Sequence, residues 1–246
     1  MRRPYRLLAG LAAVLWLIPI GLRAQTVDDI IASNLRSKGG LEKIKATRTV
    51  RMTGSVVARD MTGREVTSSL NMVAKRPNLM RRDLEINGQP IVNAFDGSTL
   101  WMAVGKAAPQ QVPNTQNAYA AQDAEFDSVF VEYKEKGHKI ELVGKETLDG
   151  TPVYHLKVTK KAGPPQDYYL DTETGLEKKI SVSGRAPDGS QMINVTEFSD
   201  YRSVDGSMVP FLMKQRQNGT VIATTTIDKV EFNVTIDDEF FKMPAK

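Results

Sequence analysis

Apolar residues recur along this chain in two rhythms. Near the start, Val27, Ile30, Ile31 and Leu35 fall at helical spacing behind Thr26, and Asp29 completes a capping-box-like opening, which predicts a helix that stops at Gly39-Gly40. Leu41 and Ile44 predict one further short turn. From Thr47 onward the period becomes two. Alternating, β-branched stretches are separated by Thr62-Gly63, Asn87-Gly88, Asp96-Gly97, Asp149-Gly150, Asp188-Gly189, Asp205-Gly206 and Asn218-Gly219, pairs that turn antiparallel hairpins. Strands are predicted near 47–58, 65–76, 79–87, 90–96, 99–104, 138–146, 152–160, 166–171, 177–184, 190–200, 208–217 and 221–233, as one long meander. It is interrupted once, after Pro109 and Pro113. Between about 117 and 136, Phe126, Val129, Phe130 and Tyr133 fall at i, i+3, i+4 and i+7, which predicts a helix with a narrow apolar stripe ended by Gly137.

Successive residues of a strand point to opposite faces, so the alternation also says which face is buried. In the second strand Val66, Ser68, Leu70, Met72 and Ala74 share one side; in the third Met80, Leu84 and Ile86 alternate with Arg81, Asp83 and Glu85. Val73 breaks the pattern. A sheet of about a dozen strands tends to curl, and two amphipathic helical segments are all that the sequence offers to cover its apolar face. The expected fold is therefore mainly β: an incomplete antiparallel barrel of about 11–12 strands with a helical lid over the concave side. Such a cover can leave a cavity, or side chains can fill it. Met72, Met80, Met102, Met192, Met208 and Met213 supply flexible, polarizable side chains suited either to variable apolar ligands or to plain core filling.

Arg76 has the parity of Leu70 and Met72, so it ends the apolar face of its strand, immediately before Pro77. Two placements fit that parity: a strand-end arginine reaching water, or a guanidinium at the cavity rim donating to carbonyls of the covering helix or its loop.

Charge changes the picture in one respect. The chain of 246 residues has formal charge +4, but four of its 33 basic residues, Arg2, Arg3, Arg6 and Arg23, lie in the first 24 positions, and removing them leaves 29 against 29 acidic. Without that segment the case for nucleic acid disappears. Arg2, Arg3 and Arg6 precede an apolar run from Leu7 to Ile20, too short for a bilayer span, with Ala24 before Gln25. This predicts a secretory signal at 1–24, cleaved near Ala24/Gln25, and a single mature domain at 25–246. With no cysteine, stability in an oxidising compartment rests on the core.

Lys75-Arg76-Pro77-Asn78-Leu79, followed in register by Asp96-Gly97-Ser98-Thr99-Leu100-Trp101, resembles the LolA family of periplasmic lipoprotein carriers, which includes outer-membrane lipoprotein-sorting proteins. Gly39-Gly40-Leu41 and Tyr168-Tyr169-Leu170-Asp171 leading to Gly175-Leu176 extend the similarity over most of the chain. The resemblance implies a periplasmic, monomeric carrier whose apolar cavity takes acyl chains of lipoproteins or other lipids from an inner-membrane donor complex and passes them to an outer-membrane acceptor. It implies that Arg76 latches the lid, and that Leu70, Met72, Met80, Leu84, Ile86, Trp101, Phe126, Val129, Phe130 and Tyr133 line the cavity. Met80 stands where the carriers often have Phe.

Catalysis is not expected. His138 and His155 are the only histidines, both read as surface residues, and with no cysteine they make neither a nucleophile pair nor a transition-metal site. No cofactor is expected. Asp237-Asp238-Glu239 lacks the spacing of a calcium loop and precedes Phe240, Phe241 and Met243, read as a C-terminal strand or hook packed on the sheet. The alternative to a carrier is a non-enzymatic periplasmic regulator or scaffold of the same fold that binds a partner protein.

Overall fold

The computed structural model describes residues 25–59, 62–113, 124–161, 163–186 and 188–244; the expected signal segment and residues 117–123 of the 117–136 stretch lie outside these. Two helices come first, α1 (Val27–Ser37) and α2 (Leu41–Ala46). Thr26 and Asp29 cap α1 reciprocally, the Thr26 side chain accepting from the Asp29 amide while the Asp29 carboxylate accepts from the Thr26 amide. The chain turns out of α1 through Gly39 and Gly40, both at positive φ.

Thirteen strands follow: β1 (Thr49–Arg59), β2 (Glu65–Lys75), β3 (Leu79–Ile86), β4 (Gln89–Phe95), β5 (Leu100–Val104), β6 (Gln110–Gln111), β7 (Lys139–Leu148), β8 (Thr151–Thr159), β9 (Gln166–Asp171), β10 (Glu177–Arg185), β11 (Gln191–Val204), β12 (Ser207–Gln217) and β13 (Thr220–Phe232). They form one open antiparallel sheet in the order β6-β5-β4-β3-β2-β1-β13-β12-β11-β10-β9-β8-β7. The architecture is an incomplete β-barrel with a helical lid. The twelve predicted strands are present, together with the two-residue β6.

Two expectations are corrected. The sheet is not one meander, because β1 pairs with β13, Val50 opposite Phe232 and Ala58 opposite Ala223, so the first and last strands meet in the middle. Hairpin turns encode only neighbours in sequence, and this pairing is not a hairpin. Its register shifts between Thr53 and Gly54, and a Cβ at Gly54 would stand 2.0 Å from the Thr226 carbonyl oxygen. Only glycine permits that approach.

The second correction concerns the predicted 117–136 helix. Its described part, from residue 124, is a succession of turns with no α-helix. Glu132 has φ +52, which ends any helical run, and Gly137 has φ +72. The physical reason is topological. β6 and β7 lie at opposite edges of the sheet, so the chain between them links one edge to the other, and its described part, 124–137, packs by a turning path over Phe95, Tyr168 and Pro77 where a straight helix rising about 1.5 Å per residue would not follow those contacts.

Three apolar clusters lie under this cover. α1 contributes Ile30 and Ile31 to a packed core with Ile140, Tyr154, Leu156, Val158, Tyr168, Leu170 and Phe130 of the crossover. Leu70, Val209, Phe211, Ile227 and Val230 form a second, joined by Val50, Met52, Met72 and Leu84. Phe95 and Ala124, with Met80 and Leu100, form a third beneath the start of the described crossover.

Candidate functional site

The two sequence motifs meet in space. Asp96 Oδ1 accepts from the amides of Ser98 and Thr99 and from the Ser98 hydroxyl at 2.7–2.9 Å, which shapes the β4–β5 turn. Burial opposes the charge on this carboxylate, but those donors hold it below the usual carboxylate range. Gly97 sits at φ +94 in that turn, and a Cβ there would lie 3.4 Å from Asn78 Oδ1. The turn thus braces the Lys75-Arg76-Pro77-Asn78 segment at the end of β2.

Arg76 points inward. Its Nε donates to the Thr47 carbonyl at 2.6 Å and its Nη2 to the Ile44 carbonyl at 2.7 Å, both at the C-terminal end of α2, where unsatisfied carbonyls carry partial negative charge. Nη2 also donates to Asp127 Oδ1 at 2.7 Å, and Nη1 to Asp127 Oδ2. The guanidinium lies 4.7 Å from the centroid of the Phe126 ring, and the Phe126 amide donates to the Pro77 carbonyl at 3.3 Å. Arg76 therefore joins three parts: the end of β2, the end of α2 and the crossover. Both side chains of the Arg76–Asp127 pair are only 17% exposed.

Beneath this junction is an apolar cavity of about 260 Å³, lined by Ile44 and Thr47 of the helical cover, Phe126, Asp127 and Ser128 of the crossover, and Val50, Met52, Met208, Val209 and Phe232 of the sheet. A second, more polar cavity of about 350 Å³ lies on the other side of the crossover, bounded by Val129, Tyr168, Ile180, Phe198 and Pro210 and by Glu125, Lys160, Gln166 and Glu177. Lys38, Asp127 and Ser128 are common to both and form the partition. Lys38 donates to Glu177 at 2.5 Å, and Tyr201 donates to the Glu177 carbonyl at 2.7 Å. Burial pushes the hydroxyls of Tyr168 and Tyr201 up from their ordinary range, so both stay protonated.

Outside the Arg76–Asp127 pair a wider vestibule of about 680 Å³ opens, bordered by Arg48, Arg76, Pro77, Asn78, Glu125, Asp127 and Lys136. Lys136 is ion-paired with Glu125. Asp127 belongs to the vestibule and to both inner cavities, so it stands where the three spaces meet.

The residues expected to line one cavity are distributed among several places. Phe126 lines the first cavity and Val129 the second. Leu70, Met72 and Leu84 belong to the cluster that includes the cavity floor residues Val50, Met52, Val209 and Phe232. Met80 packs with Phe95 and Ala124, and Ile86 is half-buried at the far end of β3. Phe130 is part of the filled core under α1, edge-on to Tyr168 at 5.1 Å, while Tyr133 packs beside that core and donates to Asp28 at 2.7 Å.

Trp101 is on the opposite, outer face. Register places Val73, Arg81, Ala94 and Trp101 in one row across β2–β5, a face turned away from Met80 and Phe95. The row is covered by the C-terminal hook, a 3-10 helix at Asp238–Phe241: Trp101 Nε1 donates to the Phe241 carbonyl at 2.8 Å and Arg81 Nη1 to the Phe240 carbonyl at 2.8 Å. That second cover explains why Val73 breaks the alternation of β2. The hook's buried Phe241 needs an apolar outer patch beneath it.

Neither histidine is freely exposed. His155 is 13% exposed, between Glu146 at 2.6 Å and Asp167 at 2.9 Å, and stacks on Tyr169. His138 has both ring nitrogens shut off from water with no hydrogen-bond partner among the described residues, and burial pulls its pKa down. Sequence reasoning missed Asp127 altogether. A lone acid beside Phe126 gives no periodic signal, and only the tertiary path brings it to Arg76.

An open antiparallel half-barrel with helices and the 124–137 segment over its apolar inner face defines the fold class. Solved structures of that class match this one: an outer-membrane lipoprotein-sorting protein domain from Vibrio parahaemolyticus (13% identity, 83% of this chain and 97% of that one, TM-score 0.56), and a LolA superfamily protein from Nitrosomonas europaea (14% identity, 89% and 98%, TM-score 0.56). A DUF1329 family protein from Desulfovibrio piger matches as well (13% identity, 89% and 98%, TM-score 0.61). The chain shares its fold with LolA-superfamily proteins. No family model matches its sequence, and no curated protein does.

Proposed function

We propose that this protein is a non-enzymatic periplasmic carrier that takes acyl chains of lipoproteins or other lipids into the inner-face cavity and passes them toward the outer membrane. The observation that carries this reading is the apolar cavity roofed by a strap whose closure rests on Arg76. At about 260 Å³ the cavity is smaller than ordinary ligand pockets, which run from about 300 to 1,000 Å³. A chain therefore enters only as the partition moves and the two inner spaces join.

Burial favours that opening. Each methylene removed from water contributes about 0.8 kcal/mol, so a sixteen-carbon chain offers roughly 12 kcal/mol before ordering costs. The two charge-assisted bonds between Arg76 and Asp127 oppose it with about 1.5–3 kcal/mol each. In the empty protein Arg76 acts as the latch that keeps the apolar lining covered. Release then requires an acceptor with a better site for the chain, because the carrier has no energy source of its own.

The test is native mass spectrometry of protein purified from the periplasm without detergent, followed by solvent extraction. Stoichiometric acyl lipid is the expected result. The second reading, a partner-binding regulator, draws on the edge strand β7, where Leu142 and Val143 are exposed, Val143 to 57%, and which pairs among the described residues with β8 alone. A stoichiometric protein partner without lipid in the same experiment would favour it.

A further inference from the structure

Resting on the carrier reading, we infer that the ligand is an anionic amphiphile whose head group displaces the Asp127 carboxylate from Arg76 as the acyl chain enters the cavity. The pair is the boundary between two unlike spaces: apolar Ile44, Val50, Met52, Phe126, Val209 and Phe232 on one side, and the charged vestibule on the other. A molecule that fills both has a hydrocarbon tail and a polar head, and its head falls at Arg76.

The chemistry of the junction selects the charge of that head. The Arg76 guanidinium is held in place by the Thr47 and Ile44 carbonyls through Nε and Nη2, bonds that do not involve the crossover. Its remaining donors face Asp127 as a fork across Nη1 and Nη2, which suits the two oxygens of a carboxylate or phosphate. If Asp127 simply withdrew, a guanidinium only 17% exposed would lose its counter-ion, a costly state. An incoming anionic head removes that cost by taking the carboxylate's place. Arg48, exposed at the vestibule rim, adds a second guanidinium on the approach.

Entry and opening are then one exchange. The head takes over the Arg76 fork, Asp127 is released, and the part of the crossover between its buried anchors Ala124 and Phe130 is free to lift off the cavity. Phe126, which covers both the cavity and the guanidinium face, moves with it. A neutral head offers Arg76 hydrogen-bond acceptors without charge, so it compensates the guanidinium less and opens the strap at a higher cost.

The experiment is calorimetric titration of the protein with myristoyl lysophosphatidylglycerol, with monomyristoylglycerol of the same chain length, and with inorganic phosphate. Two or so charge-assisted bonds correspond to a preference of about tenfold or more for the anionic lipid. That preference should fall as salt rises, and inorganic phosphate should bind far more weakly than the lipid. Asp127→Asn removes the competing charge and is expected to tighten the anionic lipid while keeping the preference. Arg76→Gln, checked for folding by circular dichroism, is expected to bring the two lipids to similar affinity. Equal binding of anionic and neutral lipids by the unmodified protein overturns the head-group exchange and leaves the carrier reading standing. Phosphate binding as tight as the lipid overturns it in favour of a free-anion site. Failure of both lipids to bind overturns the carrier reading itself.

Discussion

Arg76 and Asp127 stand 51 residues apart in the chain and meet through both carboxylate oxygens, so the end of a central strand is tied to the strap that crosses the open sheet. Removing one partner leaves the other charged and poorly hydrated. Asp127→Asn and Arg76→Gln are each expected to lower unfolding free energy by about 2–4 kcal/mol, and the double variant by clearly less than the sum. Urea denaturation of the four proteins gives the coupling; strictly additive losses would mean that the pair contributes nothing.

Gly54 makes a second long-range contact possible. A side chain there would run into the Thr226 carbonyl of β13 at the register shift that joins the two halves of the sheet. Gly54→Ala is expected to cost about 2–4 kcal/mol, read from the urea midpoint. Gly88→Ala is the control for positive φ in an open turn, because a Cβ at Gly88 meets nothing within 4 Å. A smaller loss at Gly54 than at Gly88 would contradict the crowding.

The C-terminal hook has its own signature. In a chain beginning at Gln25, Trp101 is the only tryptophan, fully buried with its indole N–H bonded to Phe241. Phe241→Ala is expected to cost about 3–5 kcal/mol and to shift tryptophan emission to the red. Lipid binding on the inner face should leave that emission unchanged. A large change on lipid addition would place the ligand under the hook instead.

His138 supplies a pH dependence. Burial favours its neutral form in the folded protein, with Glu125 pulling the other way and Lys136 and Lys160 reinforcing it. The unfolded chain therefore takes up the proton first. Its contribution is complete above the ordinary histidine pKa of about 6.5 and is lost as pH falls through the lower folded value. His138→Gln should flatten the loss of stability between pH 7 and 5, and an unchanged pH profile would remove the assignment.

Much of the fold was legible because it is local. The Thr26–Asp29 box, the Gly-containing turns and the alternation of β2 and β3 each depend on residues a few positions apart. The pairing of Val50 with Phe232 has no such local code. The stripe from Phe126 to Tyr133 has helical spacing, yet Val131, off the stripe, is fully buried, because a strap crossing a sheet buries residues by where it passes and not by its period. Trp101 misled for a related reason: a strand covered on both faces shows no alternation to read. At the site, the parity of Arg76 placed it on the inner face, whereas Asp127 and the floor residues from β1, β12 and β13 became visible only through tertiary path and register.

The central claim is that an acyl chain occupies the space between α2, the strap and the floor of β1, β12 and β13. With no native cysteine, single cysteines can carry an environment-sensitive dye without background. The direct measurement places one at Met208, in the cavity wall, and one at the exposed Val143 of the edge strand β7, and titrates each with myristoyl lysophosphatidylglycerol. The account predicts a saturable change in emission at Met208 and none at Val143. Lipid bound at stoichiometric levels with no response at Met208, or with the response at Val143 alone, would contradict it.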